Sequence, residues 1–184
     1  MEKISFKGNP SKTLETILYI NSKKAGLGHY HMMKLIFLAD FIHLNKYGRP
    51  ITYDKLRAME YGPVPSIAYD YYLEAEAKGN KSSLPFSIRK DGKKRIINNV
   101  TRQFDDKYFS ESDLEVLDSV VQRYSDKSFD ELYEITHAMS AYKSAWENRG
   151  NALAIDIDYE DLILDFEGKE DFIKELKCLC RHIS

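Results

Sequence analysis

Apolar positions between Lys34 and Asn45 recur at helical spacing, with Leu35, Leu38, Phe41 and Ile42 carrying the pattern. They predict a helix from about His29 to Tyr47, the longest and most apolar of the chain and therefore its central buried helix. Lys46-Tyr47-Gly48-Arg49-Pro50 should end it, because Gly48 accepts the left-handed cap and Pro50 cannot continue a helix. Upstream, Leu14, Ile17 and Leu18 mark an earlier helix, with Ser11 as its expected N-cap and Gly26 as its stop. Downstream, residues 51–61 read as a short extended or helical link. Tyr61-Gly62-Pro63-Val64-Pro65-Ser66 then reads as a rigid elbow between helices, since two prolines fix φ and Gly62 admits a backbone other residues resist. Pro65 or Ser66 opens a third helix through Tyr69, Tyr72 and Leu73, which stops at Gly79.

Residues 80–102 change period. Leu84–Arg89 and Lys94–Val100 flank Asp91-Gly92, a turn pair that predicts a β-hairpin. Ser110 or Ser112 then caps a helix to Tyr124 with Leu114, Leu117 and Val121 inside, and Ser128 with Glu131 forms a capping box for the next, from Phe129 to about Met139. A short helix around Ala141 to Arg149 holds Trp146, a turn begins at Asp158, and Lys169 to Cys180 forms a terminal helix. The expected fold is mainly α (α+β), a compact helical domain with one small β-hairpin and a winged-helix-like N-terminal half. Residues 1–10 are expected as a flexible lead-in, 11–165 as the body of the domain, and 166–184 as a C-terminal helix packed on the domain or on a partner.

Composition adds bounds. A chain of 184 residues that is 43% hydrophobic, with 13 Tyr and 9 Phe, can bury one real core. No run approaches the ~20 apolar residues of a membrane span, and the first residues lack a signal-peptide core, which predicts a cytoplasmic protein. The net charge of −2 conceals a split: residues 1–102 carry 18 Lys and Arg against 9 Asp and Glu, residues 103–184 carry 9 against 20. Such halves either pair inside the fold or present opposed faces to partners.

Candidate chemistry is sparse. Asp40 and His43, at i and i+3, are close enough to hydrogen-bond, and His137 is the one group that would make them an acid–base or metal set. The plainer reading is interior histidines satisfied by carboxylates or carbonyls. His29 and His31 are two apart and point in different directions. Cys178, Cys180 and His182 supply three soft ligands where zinc takes four. No nucleophile elbow or phosphate-binding glycine loop is present. The sequence therefore predicts no catalytic residue, no metal and no cofactor. The hairpin's Arg89, Lys93 and Arg95 would suit phosphates in a winged-helix DNA-binding regulator. Asp70, Glu74 and Glu76 on the third helix and a pI of about 6.2 argue against nucleic acid. Tyr53, Tyr61, Tyr69, Tyr71 and Tyr72 crowd the elbow, either as a core rim or as a protein-binding surface. Tyr61, Tyr69, Tyr72, Arg89, Lys93 and Arg95 are the expected partner contacts.

Wording is more telling than periodicity. LADFIHLNKYGRPIT followed by AMEYGPVPS resembles the signature of the Panacea-domain family, the SocA-like antitoxins of bacterial, phage and prophage toxin–antitoxin pairs. Phe109–Asp118 resembles the family's second helical block, and Leu132-Tyr133-Glu134-Ile135-Thr136-His137 with Trp146 resembles its close, so that the likeness spans roughly residues 12 to 165. Matching signature positions are Asp40, His43, Tyr47, Gly48, Arg49, Pro50, Gly62, Pro63, Val64, Pro65, His137 and Trp146, most of them expected to hold the fold. The stretch around Trp146, MSAYKSAWEN, is looser than the family pattern. The resemblance implies a non-enzymatic antitoxin that binds a cognate toxin directly, with protease or chaperone adaptor and homodimer as variants.

Overall fold

A computed structural model describes residues 3–182, apart from the side chains of Leu179, Arg181 and His182. The Cys178–Cys180–His182 cluster considered above therefore falls partly outside the described residues. The fold is mainly α with some β, as expected. The first helix, α1 (Pro10–Lys23), starts two residues earlier than predicted: Asn9 is the N-cap, accepting from the Lys12 N–H, and Pro10 occupies the first turn where no N–H is needed. The second, α2 (His29–Tyr47), ends where predicted, with Gly48 at φ +76 donating to the Leu44 carbonyl. Met32 through Asp40 are all buried, so α2 is covered on every side and the other elements pack around it.

The link and elbow are a finding against expectation. Leu56–Met59 forms β1 and Gly62–Pro65 forms β2, paired antiparallel in the register Leu56↔Pro65 to Met59↔Gly62. The Gly-Pro-Val-Pro stretch is thus a strand, and the loop is only Glu60-Tyr61. Prolines are tolerated because β2 lies at the edge of its sheet, where a missing N–H breaks no ladder on the open side. A third strand, β5 (Ala154–Asp156), pairs with the other side of β1 through Arg57↔Asp156, giving the order β2-β1-β5. The helix α3 (Ser66–Lys78) follows β2 directly and stops at Gly79. Strands β3 (Ser87–Asp91) and β4 (Lys94–Asn98) form the predicted hairpin with the loop Gly92-Lys93, Gly92 at φ +57.

The later helices are α4 (Glu111–Tyr124), α5 (Phe129–His137), α6 (Ser140–Glu147), α7 (Tyr159–Leu162) and α8 (Lys169–His182). Ser110 with Asp113 and Ser128 with Glu131 complete capping boxes on α4 and α5. On α4 the buried stripe is Val116, Leu117, Val120 and Val121, with Leu114 only partly covered. Residues 3–9, expected loose, lie along the body: Ile4 is buried, and Phe6 meets Tyr53 and Tyr159 edge-on. Helix α8 sets Leu176 into the core and the Phe172 ring against Gly48.

The two oppositely charged halves pair inside the fold. Lys12 reaches Asp113 at 2.6 Å, Lys46 reaches Glu115 at 2.5 Å, Lys24 reaches Asp126 at 2.5 Å and Lys55 reaches Asp156 at 2.8 Å. Asp113 is the hub of this seam. Its Oδ1 lies 3.0 Å from Arg49 Nη1, an ion pair without hydrogen-bond alignment, and 3.2 Å from His43 Nε2, an imidazole whose charging burial disfavours. Burial alone would push its carboxyl up, but the Lys12 and Ser110 hydrogen bonds and the charges of Lys12 and Arg49 hold it below the ordinary carboxylate value.

Candidate functional site

Asp40 and His43, considered as a pair, are not partners. Asp40 turns toward the loop after α2, where Oδ1 accepts from the Ile51 and Thr52 N–H groups at 2.8 Å each and Oδ2 accepts from the Thr52 hydroxyl. Burial pushes this carboxyl up to about 7. His43 turns the other way, donating from Nδ1 to the Arg49 carbonyl at 2.6 Å, with Ser112 Oγ 3.1 Å from Nε2. His137 stands on another element, its Nδ1 2.9 Å from the Tyr133 carbonyl and its Nε2 3.3 Å from that of Glu60. The three do not converge. Among the described residues no group of three His, Cys, Asp or Glu is placed to hold a metal ion.

Asp54, outside the signature, and the signature residues Tyr47, Arg49 and Gly62 serve the same frame. Asp54 accepts from the first-turn N–H groups of Ile67 and Ala68, capping α3 from outside it, and burial pushes its carboxyl up to about 6. Tyr47 donates to Glu115, and Arg49 donates to Ser110 Oγ at 2.9 Å. Gly62, at φ +97, lies so close to its neighbours that a Cβ there would sit 2.7 Å from Lys34 Nζ and 3.0 Å from Thr136 Oγ1.

The β1–β2 loop forms one wall of an open cleft. Two adjoining cavities, about 880 and 560 Å³, share His29, Tyr30 and Tyr61. Tyr61, Tyr69 and Trp146 meet in the larger, Lys93 and Arg95 in the smaller. Tyr72 does not belong: it is 0% exposed, with its ring in the core 6.1 Å from that of Phe86. Arg89 lines neither cavity. Arg95 and Lys90 both pair with Glu76, whose single carboxylate offsets one of the hairpin's five positive charges.

Helices α5 and α6 supply a ladder of rings along this cleft. Tyr30 meets Phe129 at 4.3 Å, Tyr133 stacks on His137 at 3.5 Å, and Tyr142 runs parallel to Trp146 at 6.1 Å, with Arg149 3.8 Å above the Trp146 ring. Tyr61, Phe129 and Leu153 stand exposed at the rim, at 57%, 43% and 87%. At the floor lies Lys34, 1% exposed, whose Nζ donates to the Pro63 carbonyl at 2.9 Å and lies 5.0 Å from the Tyr30 ring. Among the described residues no carboxylate pairs with it, and burial alone drives its ammonium down to about 7. Sequence reasoning overlooked this residue, although a single lysine amid the apolar run Met32–Ala39 was the available signal.

The family model described as Antitoxin SocA-like, Panacea domain, matches residues 32–143, well over half of the chain. The chain belongs to this SocA-like antitoxin family. No curated protein and no solved structure matches. The Panacea match is shorter than the span of 12 to 165 expected from wording, running from α2 into α6. It contains Lys34, Tyr61, Tyr69 and Tyr133 but stops before Trp146, Arg149 and Leu153, so the second wall of the cleft lies beyond the matched Panacea domain. Among the described residues no helix is long and apolar enough to cross a membrane.

Proposed function

We propose that this chain is the antitoxin of a toxin–antitoxin pair and neutralises its toxin by direct, non-enzymatic binding across the Tyr61 cleft. The observation that carries the reading is the exposed apolar rim of Tyr61, Phe129 and Leu153 around a preformed aromatic cavity, on a chain of an antitoxin family. Exposed apolar side chains grouped beside a cleft mark interaction sites, and tyrosine brings contact area at low entropic cost. The asymmetric cations of the adjoining cavity, Lys93 and Lys94, would steer an acidic partner. A role as a protease or chaperone adaptor is a variant in which the same contact leads to degradation of the toxin.

The test is co-expression with the product of the adjoining open reading frame. Growth should be restored and the two proteins should co-purify, while Tyr61→Ala should abolish both without unfolding the chain. A complex that survives Tyr61→Ala together with Leu153→Asp would remove the cleft from the account. The rival DNA-binding regulator keeps Lys93 and Lys94 as its support, set against the carboxylates of α3. It predicts a retarded promoter fragment that is released by neutralising both lysines.

A further inference from the structure

Lys34 is an expensive residue to keep where it stands. An ammonium enclosed among Tyr30, Thr136, His137 and the β1–β2 strand pair has lost its water, yet only one of its three donors is used. The Tyr30 hydroxyl, beside it on α2 and lining the same cavity, is buried with no hydrogen-bond partner. A folding role would be served better by an apolar side chain, since a buried unpaired charge weakens a core. The unused donors of Lys34 and the Tyr30 hydroxyl therefore belong to neighbouring residues that line one cavity with aromatic walls.

We infer that the floor of this cleft is a carboxylate receptor: an Asp or Glu side chain, or the C-terminal carboxylate, of the toxin enters between the aromatic walls and pairs with Lys34 Nζ and the Tyr30 hydroxyl. This rests on the reading of the cleft as the toxin-binding face and names the group it recognises. A carboxylate fits better than a phosphate. The floor presents one ammonium and one phenol, whereas a phosphate is usually cradled by several backbone N–H groups or a guanidinium fork. The apolar rim formed by Tyr61, Phe129 and Leu153 suits a protein segment and offers a nucleic-acid backbone nothing. The groups around Lys34 are Tyr30 on α2, Glu60 on the β1–β2 loop, Tyr133 and His137 on α5, and Tyr142 and Arg149 on α6. Of these only Glu60 is acidic, exposed at the rim with no ion pair to Lys34 among the described residues; on α5, Asp130 acts on the Tyr30 hydroxyl and Glu134 on His137.

Pairing restores the ammonium's charge, so binding draws in a proton. Titration calorimetry of the full chain with the toxin of the adjoining reading frame, at pH 8 in two buffers of different ionisation enthalpy, reads this directly. Wild type should take up about one proton per complex. Lys34→Met should take up none and bind at least about tenfold more weakly. Tyr30→Phe, which removes only the unpartnered hydroxyl, should weaken binding by about threefold to tenfold and keep the proton uptake. If the folded Lys34→Met and Tyr30→Phe chains bind as tightly as wild type, or if the uptake persists in Lys34→Met, the carboxylate receptor is wrong while the cleft stands. A wild-type chain that does not bind the toxin removes both readings. Displacement of the toxin by oligothymidylate in a Lys34-dependent manner would make the occupant a phosphate and also overturn the inference.

Discussion

Replacing Lys34 by Met should make the free protein more stable, and the size of the gain follows from the floor of the cleft. The ammonium falls from its ordinary 10.5 to about 7 because burial removes its water and no carboxylate compensates. At about 1.4 kcal/mol per tenfold change in proton affinity, the charged form is penalised in the folded state by about 4–5 kcal/mol. Met fills a similar volume but leaves the Pro63 carbonyl without its donor, a loss of about 1–2 kcal/mol. The net gain below pH 7 is about 3 kcal/mol, or a rise of roughly 6–12 °C in melting temperature for a chain of this size. The sign of the pH dependence is fixed as well. Unfolded Lys34 keeps its proton to 10.5, whereas folded Lys34 keeps it only to about 7. Between these values the unfolded state holds more protons, so wild-type stability rises with pH through this window. Lys34→Met lacks that rise, and its advantage should shrink to nearly nothing by about pH 9. Urea unfolding at pH 6.5, 8 and 9 measures it. A variant less stable than wild type at pH 6.5, or a difference that does not change with pH, would refute the reasoning.

Three further substitutions probe the frame around the cleft. Asp113→Asn strands Lys12 and Arg49 and should lower stability at pH 7 by about 3 kcal/mol. Because the folded carboxyl lies below its ordinary 3.8, this contribution is present above that value and is lost as pH falls through the lower folded one, so wild type and variant should converge in acid denaturation. Gly62→Ala forces a side chain onto a backbone at φ +97 and against Lys34 Nζ, and thermal unfolding should show a loss of about 2 kcal/mol or more. Tyr72→Phe removes a buried hydroxyl with no partner and should leave stability unchanged or raised by up to about 1 kcal/mol, without effect on toxin binding.

Local signals read well wherever one element contains its own instructions. The end of α2 was legible because Gly48 must take positive φ, the starts of α4 and α5 because Ser110 and Ser128 stand three residues before an acid, and the β3–β4 hairpin because Gly92 marks its turn. The second sheet was not legible for a physical reason. Its strands are three or four residues long, β2 carries two prolines, and β1 finds β5 about a hundred residues away through Arg57↔Asp156. Asp40 failed as a partner of His43 because helical proximity does not decide direction: the exposed N–H groups of Ile51 and Thr52 were stronger claimants. Tyr61 and Tyr69 were expected at a contact surface from their type and neighbourhood and Trp146 only as a family-signature position, and all three line the cleft. Phe129, Leu153 and Lys34 were not expected there, since the cleft is assembled from α2, the β1–β2 loop, α5 and the segment after α6.

The central claim is that the Tyr61 cleft grips the toxin. Its most direct measurement is growth and co-purification when the toxin is co-expressed with wild type or with Tyr61→Ala/Leu153→Asp, the variant first shown by circular dichroism to be folded. Wild type should rescue growth and retain the toxin on the column, and the folded double variant should do neither. Equal rescue and equal retention by the double variant would contradict the account.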